Sequence, residues 1–342
     1  MRICQIVASS GEGGLEKHVE ELCNELSKEE DVTLIAPPEM AKKIVPSVNF
    51  IPLNFNRSRN NPLLYCDLLR ILRKEKFDIV HAQANKAVCL VSRLRCFISA
   101  KTIGTIHNTR KNKSRIFRNI DHVIAVSIEA QQLIGNRLPT TVVYNGIPWE
   151  KKTSSFSKQK LMSDLGFSDD QPLICSVGRL VDAKGFELLI EAMKNVDAYL
   201  VIIGEGKLRS SLQKKIEQLG LPDRVKLLGH RDDVISILKG VDGLVISSKN
   251  EGFSYVFAEA LLSNLPVLST GVAAPKEFLP ASLIMSKNAH SISEKMNEFI
   301  FSPTKWLAQM EPVFAKAKKD FTLEAMAKNT LSVYQSVLKN NS

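Results

Sequence analysis

Two carboxylates, Glu251 and Glu259, stand eight residues apart in the stretch "NEGFSYVFAEALLSNLPVLST". Glu251 lies beside Gly252 in a polar loop, whereas Glu259 falls in a run where Val256, Phe257, Ala260, Leu261 and Leu265 recur at helical spacing. Helical side chains lean toward the N-terminus, so a residue about one turn in and a residue on the preceding loop can address one ligand. A carboxylate accepting from two vicinal hydroxyls suits a ribose, each charged hydrogen bond contributing roughly 1.5–3 kcal/mol. Glu259 is the candidate for that role. Glu251 is placed nearer a transferred sugar or its phosphates, with the amides of Gly252, Phe253 and Ser254 beside it. The plainer alternative is an acidic pair on a solvated helix.

Cations with a complementary task occur upstream in "SVGRLVDAKGFELL". Gly178 and Arg179 follow a strand directly, and Lys184 opens the next helix, so the planar fork of one and the movable charge of the other can converge on a diphosphate. Gly204, in "GEG", and His230 with Arg231, in "LGHRDDV", punctuate two further strand ends where a nucleobase edge can be read. Asp232 or Asp233 is expected to cap the following helix. Near the start, Gly11, Gly13 and Gly14 form a turn that opens a helix, where free amides attract phosphate. That turn does not match G-x-G-x-x-G, which argues against a dehydrogenase.

The elements that must position these groups alternate along the whole chain. "RICQIVAS", "DVTLIAP", "DIVHAQ", "KTIGTIH", "HVIAVS" and "TVVYN", then "PLICSVG", "AYLVIIG", "VKLLG", "GLVISS" and "LPVLST", read as short strands with helix-length amphipathic segments between them. Their near-continuous apolar character suits parallel strands covered on both faces, and hence an α/β protein of two Rossmann-like, doubly wound domains. Gly146, Pro148 and a polar Ser/Lys run break the pattern. The expected domains are residues 1–150 and 151–324, with a last helix over about 325–342. Ligands in such sheets collect beyond the carboxyl ends of the strands, so two facing sheets would make a cleft.

With 342 residues, 44% of them hydrophobic, the chain can bury the cores of two domains. No apolar run approaches membrane-spanning length, and "MRICQIVASS" reads as a strand rather than a signal peptide. The six cysteines lack metal-ligand spacing and read as reduced, buried thiols, and no metal site is expected. Of the net charge of +10, residues 57–118 carry a disproportionate part, with fifteen Lys/Arg against three acids. Such a concentration suits an anionic membrane surface or an acidic acceptor, or is merely a solvated basic face. A nucleic-acid module is not supported, for want of a recognition motif or interleaved aromatics.

"GGLEKHVEEL", "AVSIEAQQLI", "VVYNGI", "GRLVDAKG" and the E-x7-E pair Glu251/Glu259, in this order and over nearly the whole chain, resemble the retaining glycosyltransferases of family 4, which have the GT-B fold. The resemblance implies that Glu259 binds the ribose of a nucleotide sugar, that Arg179 and Lys184 bind its diphosphate, and that the amides near Gly13 and Gly14 meet the same phosphates. It makes His107, in "TIHNTR", the histidine that contacts the donor hexose, and it gives Glu251 and the amides after it the hexose hydroxyls. It implies no cofactor or metal beyond the co-substrate, since fixed cations and helix N-termini can stabilise the departing diphosphate. Retention would follow from front-face attack rather than from a two-carboxylate hydrolase scheme. In "GVAAPKEF" only Gly271, Pro275 and Glu277 correspond to the family pattern, and Ser254 stands where glycine is common. The function expected is transfer of a hexose from a UDP-sugar, or a guanosine counterpart, to an envelope glycan or glycolipid such as a lipopolysaccharide or capsule precursor. The site of action would be the cytoplasm or the inner membrane face. A nucleotide-sugar epimerase on the same plan is the alternative, separable because it needs no acceptor.

Overall fold

The computed structural model describes the chain except residues 10, 12, 108–113, 149–156, 169–170, 252 and 340–342. It divides into two compact units, Met1–Pro148 with Asp320–Ser342, and Trp149–Lys319.

The first unit runs β1 (Arg2–Val7), α1 (Gly14–Leu26), β2 (Asp31–Ala36), β3 (Asn49–Pro52), α2 (Pro62–Glu75), β4 (Ile79–Gln83), α3 (Ala84–Leu94), β5 (Lys101–Ile106), β6 (His122–Ala125), α4 (Ile128–Ile134) and β7 (Thr140–Val142). These strands form one parallel sheet in the order β3-β2-β1-β4-β5-β6-β7. Alternation along β1 divides the core. Cys4 and Ile6 join Leu64, Leu68, Val88 and Val91 of α2 and α3 on one face, while Ile3 and Val7 join Val19, Leu22 and Leu26 of α1 on the other. That second face also takes Met326, Val333, Tyr334 and Val337 from the end of the chain. The return is tight, because a side chain at Gly146 would meet the carbonyl oxygen of Thr322 at 2.4 Å. Asn61 caps α2 by accepting from the Leu63 amide, with Pro62 in the first turn, and Ser127 caps α4 through the Ala130 amide.

The second unit continues with α5 (Lys158–Asp164), β8 (Leu173–Val177), α6 (Phe186–Ala192), β9 (Tyr199–Ile203), α7 (Arg209–Gln218), β10 (Val225–Gly229), α8 (Val234–Leu238), β11 (Gly243–Ile246), α9 (Tyr255–Leu262), β12 (Val267–Thr270), α10 (Ala273–Phe278), β13 (Ile284–Met285), α11 (Ala289–Phe301) and α12 (Pro303–Asp320). The closing helix α13 (Leu323–Lys339) belongs to the first unit. The second sheet is also parallel, ordered β10-β9-β8-β11-β12-β13. Each sheet therefore reverses its winding once, between β1 and β4 and between β8 and β11, and loops leaving the carboxyl ends of those pairs diverge to opposite faces.

Two short edge strands, β3 and β13, escape the sequence reading: β3 ends in Pro52 and β13 is two residues long. The cysteines are all unpaired, but Cys66 and Cys96 are exposed, against the expectation that the thiols are buried. Cys66 lies on the solvent side of α2, opposite Leu64 and Leu68, and Cys96 in the turn after α3.

Candidate active site

In the second unit Arg179, Lys184, Glu251 and Glu259 follow β8 and β11, the two strands between which the sheet reverses. β8 delivers Gly178 and Arg179 into a turn that closes on a short helical turn, Asp182–Lys184, and then α6. β11 delivers Ser247 and Ser248. The two loops are sewn together, with Ser247 Oγ donating to the Lys184 carbonyl at 2.9 Å and the Lys249 amide donating to the Ala183 carbonyl at 2.8 Å. Gly185, at φ +64°, has no room for a side chain, since a Cβ would lie 2.2 Å from the Ser247 carbonyl oxygen. Gly204, at φ +137°, is closed in likewise, 2.0 Å from the Gly178 carbonyl oxygen. Its amide donates to the Gly229 carbonyl and that of Gly178 to Ile203, so the ends of β8, β9 and β10 form one rigid floor.

On that floor Lys184 Nζ donates to Glu251 Oε1 at 2.5 Å, and Ser248 Oγ donates to Glu251 Oε2 at 3.1 Å. The lysine side chain is 21% exposed and the carboxylate 14%. Sequence reading gave these two residues separate ligands, whereas the fold joins them. Arg179 is exposed and, among the described residues, has no side-chain partner, so its guanidinium is available to an anion. Glu259 sits in the second turn of α9, half-buried, with Ser254 at the N-cap position. The Ser254 hydroxyl is 1% exposed as a residue and makes no hydrogen bond among the described residues. Phe253 packs edge-on against Tyr255 at 6.0 Å. Gly252 lies outside the described residues.

His230 and Arg231 follow β10, and each has an aspartate within reach. His230 Nε2 lies 3.1 Å from Asp232 Oδ1, and Arg231 grips Asp233 with two bonds of 2.7 and 2.6 Å. That grip lowers the pKa of Asp233 and raises that of Arg231. It also corrects the capping expectation, because Asp233 occupies the N-cap position of α8 while its carboxylate serves Arg231 instead of the helix amides.

In the first unit the glycine turn after β1 leads into α1 with Gly13 at the N-cap position. The Gly13 amide donates to Glu16 Oε2 at 3.1 Å, and Ser9 Oγ donates to Glu16 Oε1. Glu16, 6% exposed, thus fills the helix entrance with a negative charge, as the helix dipole favours. A phosphate reaching Gly13 must displace it. Gly14 is the first helical residue. Sequence reading missed Glu16, although its position three residues after the N-cap is the capping-box position; the cue is muted because the cap residue is glycine.

His107 follows β5, and its Nε2 lies 2.9 Å from Gln83 Oε1 at the end of β4. Gln83 Nε2 donates to Gln5 Oε1 at 3.0 Å, Gln5 Nε2 donates to Tyr334 Oη at 2.8 Å, and Tyr334 Oη lies 2.7 Å from His81 Nδ1. His18 packs edge-on against His107 with ring centroids 4.9 Å apart, and its Nδ1 is buried without a partner among the described residues. Burial holds His18 neutral down to about 4, and burial with the neighbouring His18 holds His81 neutral to about 3. Burial first, then His18 and His81, hold His107 well below the ordinary imidazole range. His18 and His81 are both buried. Gln5, Gln83 and Tyr334 were not singled out by sequence, although a polar side chain in a buried parallel strand is a signal; Gln5 pairs with His81 in register.

Comparison with known proteins matches this arrangement. The family model of glycosyltransferase family 4 covers residues 12–151, and that of the glycosyl transferases group 1 covers residues 157–312. An uncharacterised glycosyltransferase of Methanocaldococcus jannaschii is 27% identical over 79% of this chain and 78% of its own. A lipopolysaccharide core biosynthesis glycosyltransferase of Rhizobium meliloti is 28% identical, with 78% of each chain covered. The crystal structure of HepE from Anabaena in complex with UDP superposes with a TM-score of 0.85 at 20% identity, over 98% of this chain and 100% of that one. Two Rossmann-like units, two consecutive family matches and relatives named for sugar transfer establish that the chain belongs to the glycosyltransferases, of the family 4 type with the GT-B fold.

Proposed function

We propose that this glycosyltransferase is a retaining enzyme that moves a hexose from a UDP-sugar to an envelope glycan or glycolipid. The observation that carries the reading is the cluster where the second sheet reverses: Arg179, without a side-chain partner among the described residues, Lys184 held against Glu251, and Glu259 in the second turn of α9. In this reading Arg179 and Lys184 take the diphosphate and neutralise it as it leaves, in place of a resident metal. Glu259 accepts from the ribose hydroxyls, and Glu251, whose position Lys184 and Ser248 fix, accepts from the hexose. The glycine turns at 178 and 204 bring backbone close to the ligand. No carboxylate is assigned as a nucleophile, and His107, in the first unit, is assigned to a sugar hydroxyl. Two facts about other proteins support the choice of donor and acceptor class: HepE of Anabaena was crystallised with UDP, and the Rhizobium relative is named for lipopolysaccharide core synthesis.

The test is donor binding by Glu259→Ala. Loss of a charged hydrogen bond to ribose weakens UDP by about tenfold to a hundredfold, measured by calorimetry, with the thermal midpoint of the free protein kept. Unchanged UDP affinity removes Glu259 from the ribose role. Product analysis with donor alone separates transfer from epimerisation.

The acceptor side has a matching surface. On α2, Leu64, Leu68 and Leu72 face the core, so Leu63, Cys66, Arg70 and Arg73 share the outer face, with Leu63 59% exposed. Arg59 and the two α2 arginines have no side-chain partner among the described residues, whereas Arg57 pairs with Asp67 and Arg95 with Asp121. Basic side chains next to a bilayer contribute about 1 kcal/mol each, so this face docks on anionic lipid. Flotation that is indifferent to lipid charge and salt would remove the docking. No helix among the described residues is long and apolar enough to cross a membrane.

A further inference from the structure

The polar chain that ends at His107 has an internal order. Gln5 donates its Nε2–H to Tyr334 Oη at 2.8 Å and accepts from Gln83 Nε2 at 3.0 Å. Tyr334, having received one N–H, has a single proton to give, and His81 Nδ1 lies 2.7 Å away to take it. His81 then carries its own proton on Nε2 and donates it to Thr105 Oγ1 at 2.6 Å. At the other end, Gln83 Nε2 serves Gln5 and lies 3.4 to 3.5 Å from the His81 ring nitrogens, so toward His107 Nε2, 2.9 Å away, the side chain turns its carbonyl Oε1. A carbonyl there is satisfied only by an N–H. The turn that aims Gln83 is itself held in a costly shape, since Ala84 has φ +61°, a left-handed conformation for a residue that carries a side chain.

We propose that Gln83 and Tyr334 are positioning residues that fix His107 as its Nε2–H tautomer and so leave Nδ1 as a bare acceptor for a hydroxyl of the bound sugar. The acceptor role rests on the reading of His107 as a sugar-side residue; the order of the chain does not. Reversing the tautomer requires both glutamine amides to turn over together with the Tyr334 and Thr105 hydroxyls, because each member's role is dictated by its neighbour's. The closing helix thereby controls, through one phenol hydroxyl, which nitrogen of His107 a substrate meets.

The experiment is long-range 1H–15N correlation of the full-length protein labelled at histidine nitrogens, with the His107 signals identified by their loss in His107→Gln. The wild type should show His107 protonated at Nε2, and both Tyr334→Phe and Gln83→Leu should abolish that single tautomer. Each variant should lower kcat about tenfold, the worth of one hydrogen bond, with donor KM little changed. His107 protonated at Nδ1 in the wild type, or an unaltered His107 spectrum in both variants, overturns the proposal. A changed spectrum with unchanged kcat overturns the acceptor role of Nδ1. Because the spectrum is taken on free protein, a wild type that transfers no sugar would end the functional reading without touching the tautomer result.

Discussion

Replacing Lys184 by alanine does two things at once in this structure. It removes a cation from the proposed diphosphate site, and it leaves the Glu251 carboxylate, 14% exposed, without the ammonium 2.5 Å away. A bare carboxylate beside an arriving diphosphate is a like-charge repulsion, so the single variant overstates what the lysine contributes. A charge pair at this distance has a Coulomb energy of several kcal/mol at an effective dielectric of about 20. Partial exposure and desolvation reduce this, and close charge pairs at interfaces show couplings from about 1.5 kcal/mol upward. We take about 2 kcal/mol, or roughly thirtyfold in affinity. Lys184→Ala should therefore weaken UDP binding strongly and lower turnover by about 10²-fold. Adding Glu251→Gln should then restore roughly thirtyfold of the UDP affinity lost by the lysine variant, although turnover stays low because the proposed hexose contact is changed. The assay is a double-mutant cycle by titration calorimetry at fixed ionic strength. Additivity of the two substitutions within about 0.5 kcal/mol would refute the reasoning, because it would mean that the diphosphate does not sense this pair.

Two further outcomes concern the scaffold. Gly204→Ala should destabilise the second unit by about 3 kcal/mol or more, through left-handed strain and a Cβ placed against the Gly178 carbonyl; a loss under about 1 kcal/mol in urea unfolding would show that the floor of the site yields. Acidification should weaken the first unit, because His18 and His81 stay neutral to about 4 and about 3. An unfolded imidazole titrates near about 6.5. Stability is therefore fully present above that pH and is lost as pH falls toward the folded values, while the unfolded chain takes up protons that the folded chain refuses. The slope reaches about 1.4 kcal/mol per pH unit for each histidine. A urea midpoint that stays flat between about pH 6.5 and 4.5 would contradict it.

The sheet architecture is legible because both sheets are parallel and buried on both faces, so nearly every strand reads as an apolar run. β3 and β13 are not, since an edge strand of two to four residues carries too little pattern to stand out from a loop. Arg179, Lys184, Glu251 and Glu259 could be found because turn glycines and helical spacing mark them in the chain itself. Their pairing could not. Lys184 and Glu251 are sixty-seven residues apart, and only the order of β8 beside β11 makes them neighbours. The same holds for Gln5, Gln83 and Tyr334, whose meeting depends on strand register and on where the last helix packs. His230 and Arg231 show the opposite limit: their location at a strand end was readable, but local aspartates claim their side chains.

The return of α13 to the first sheet has a bearing on how the molecule is made. During synthesis the second unit is continuous, so it can fold as soon as it clears the ribosome. The first unit, though translated earlier, lacks Met326, Val333, Tyr334 and Val337 until the last stretch emerges. Until then the cluster that Ile3 and Val7 form with α1 lacks those four partners and is open to chaperones or proteases. A premature stop before Leu323 would leave that cluster without the α13 side chains for the protein's whole lifetime.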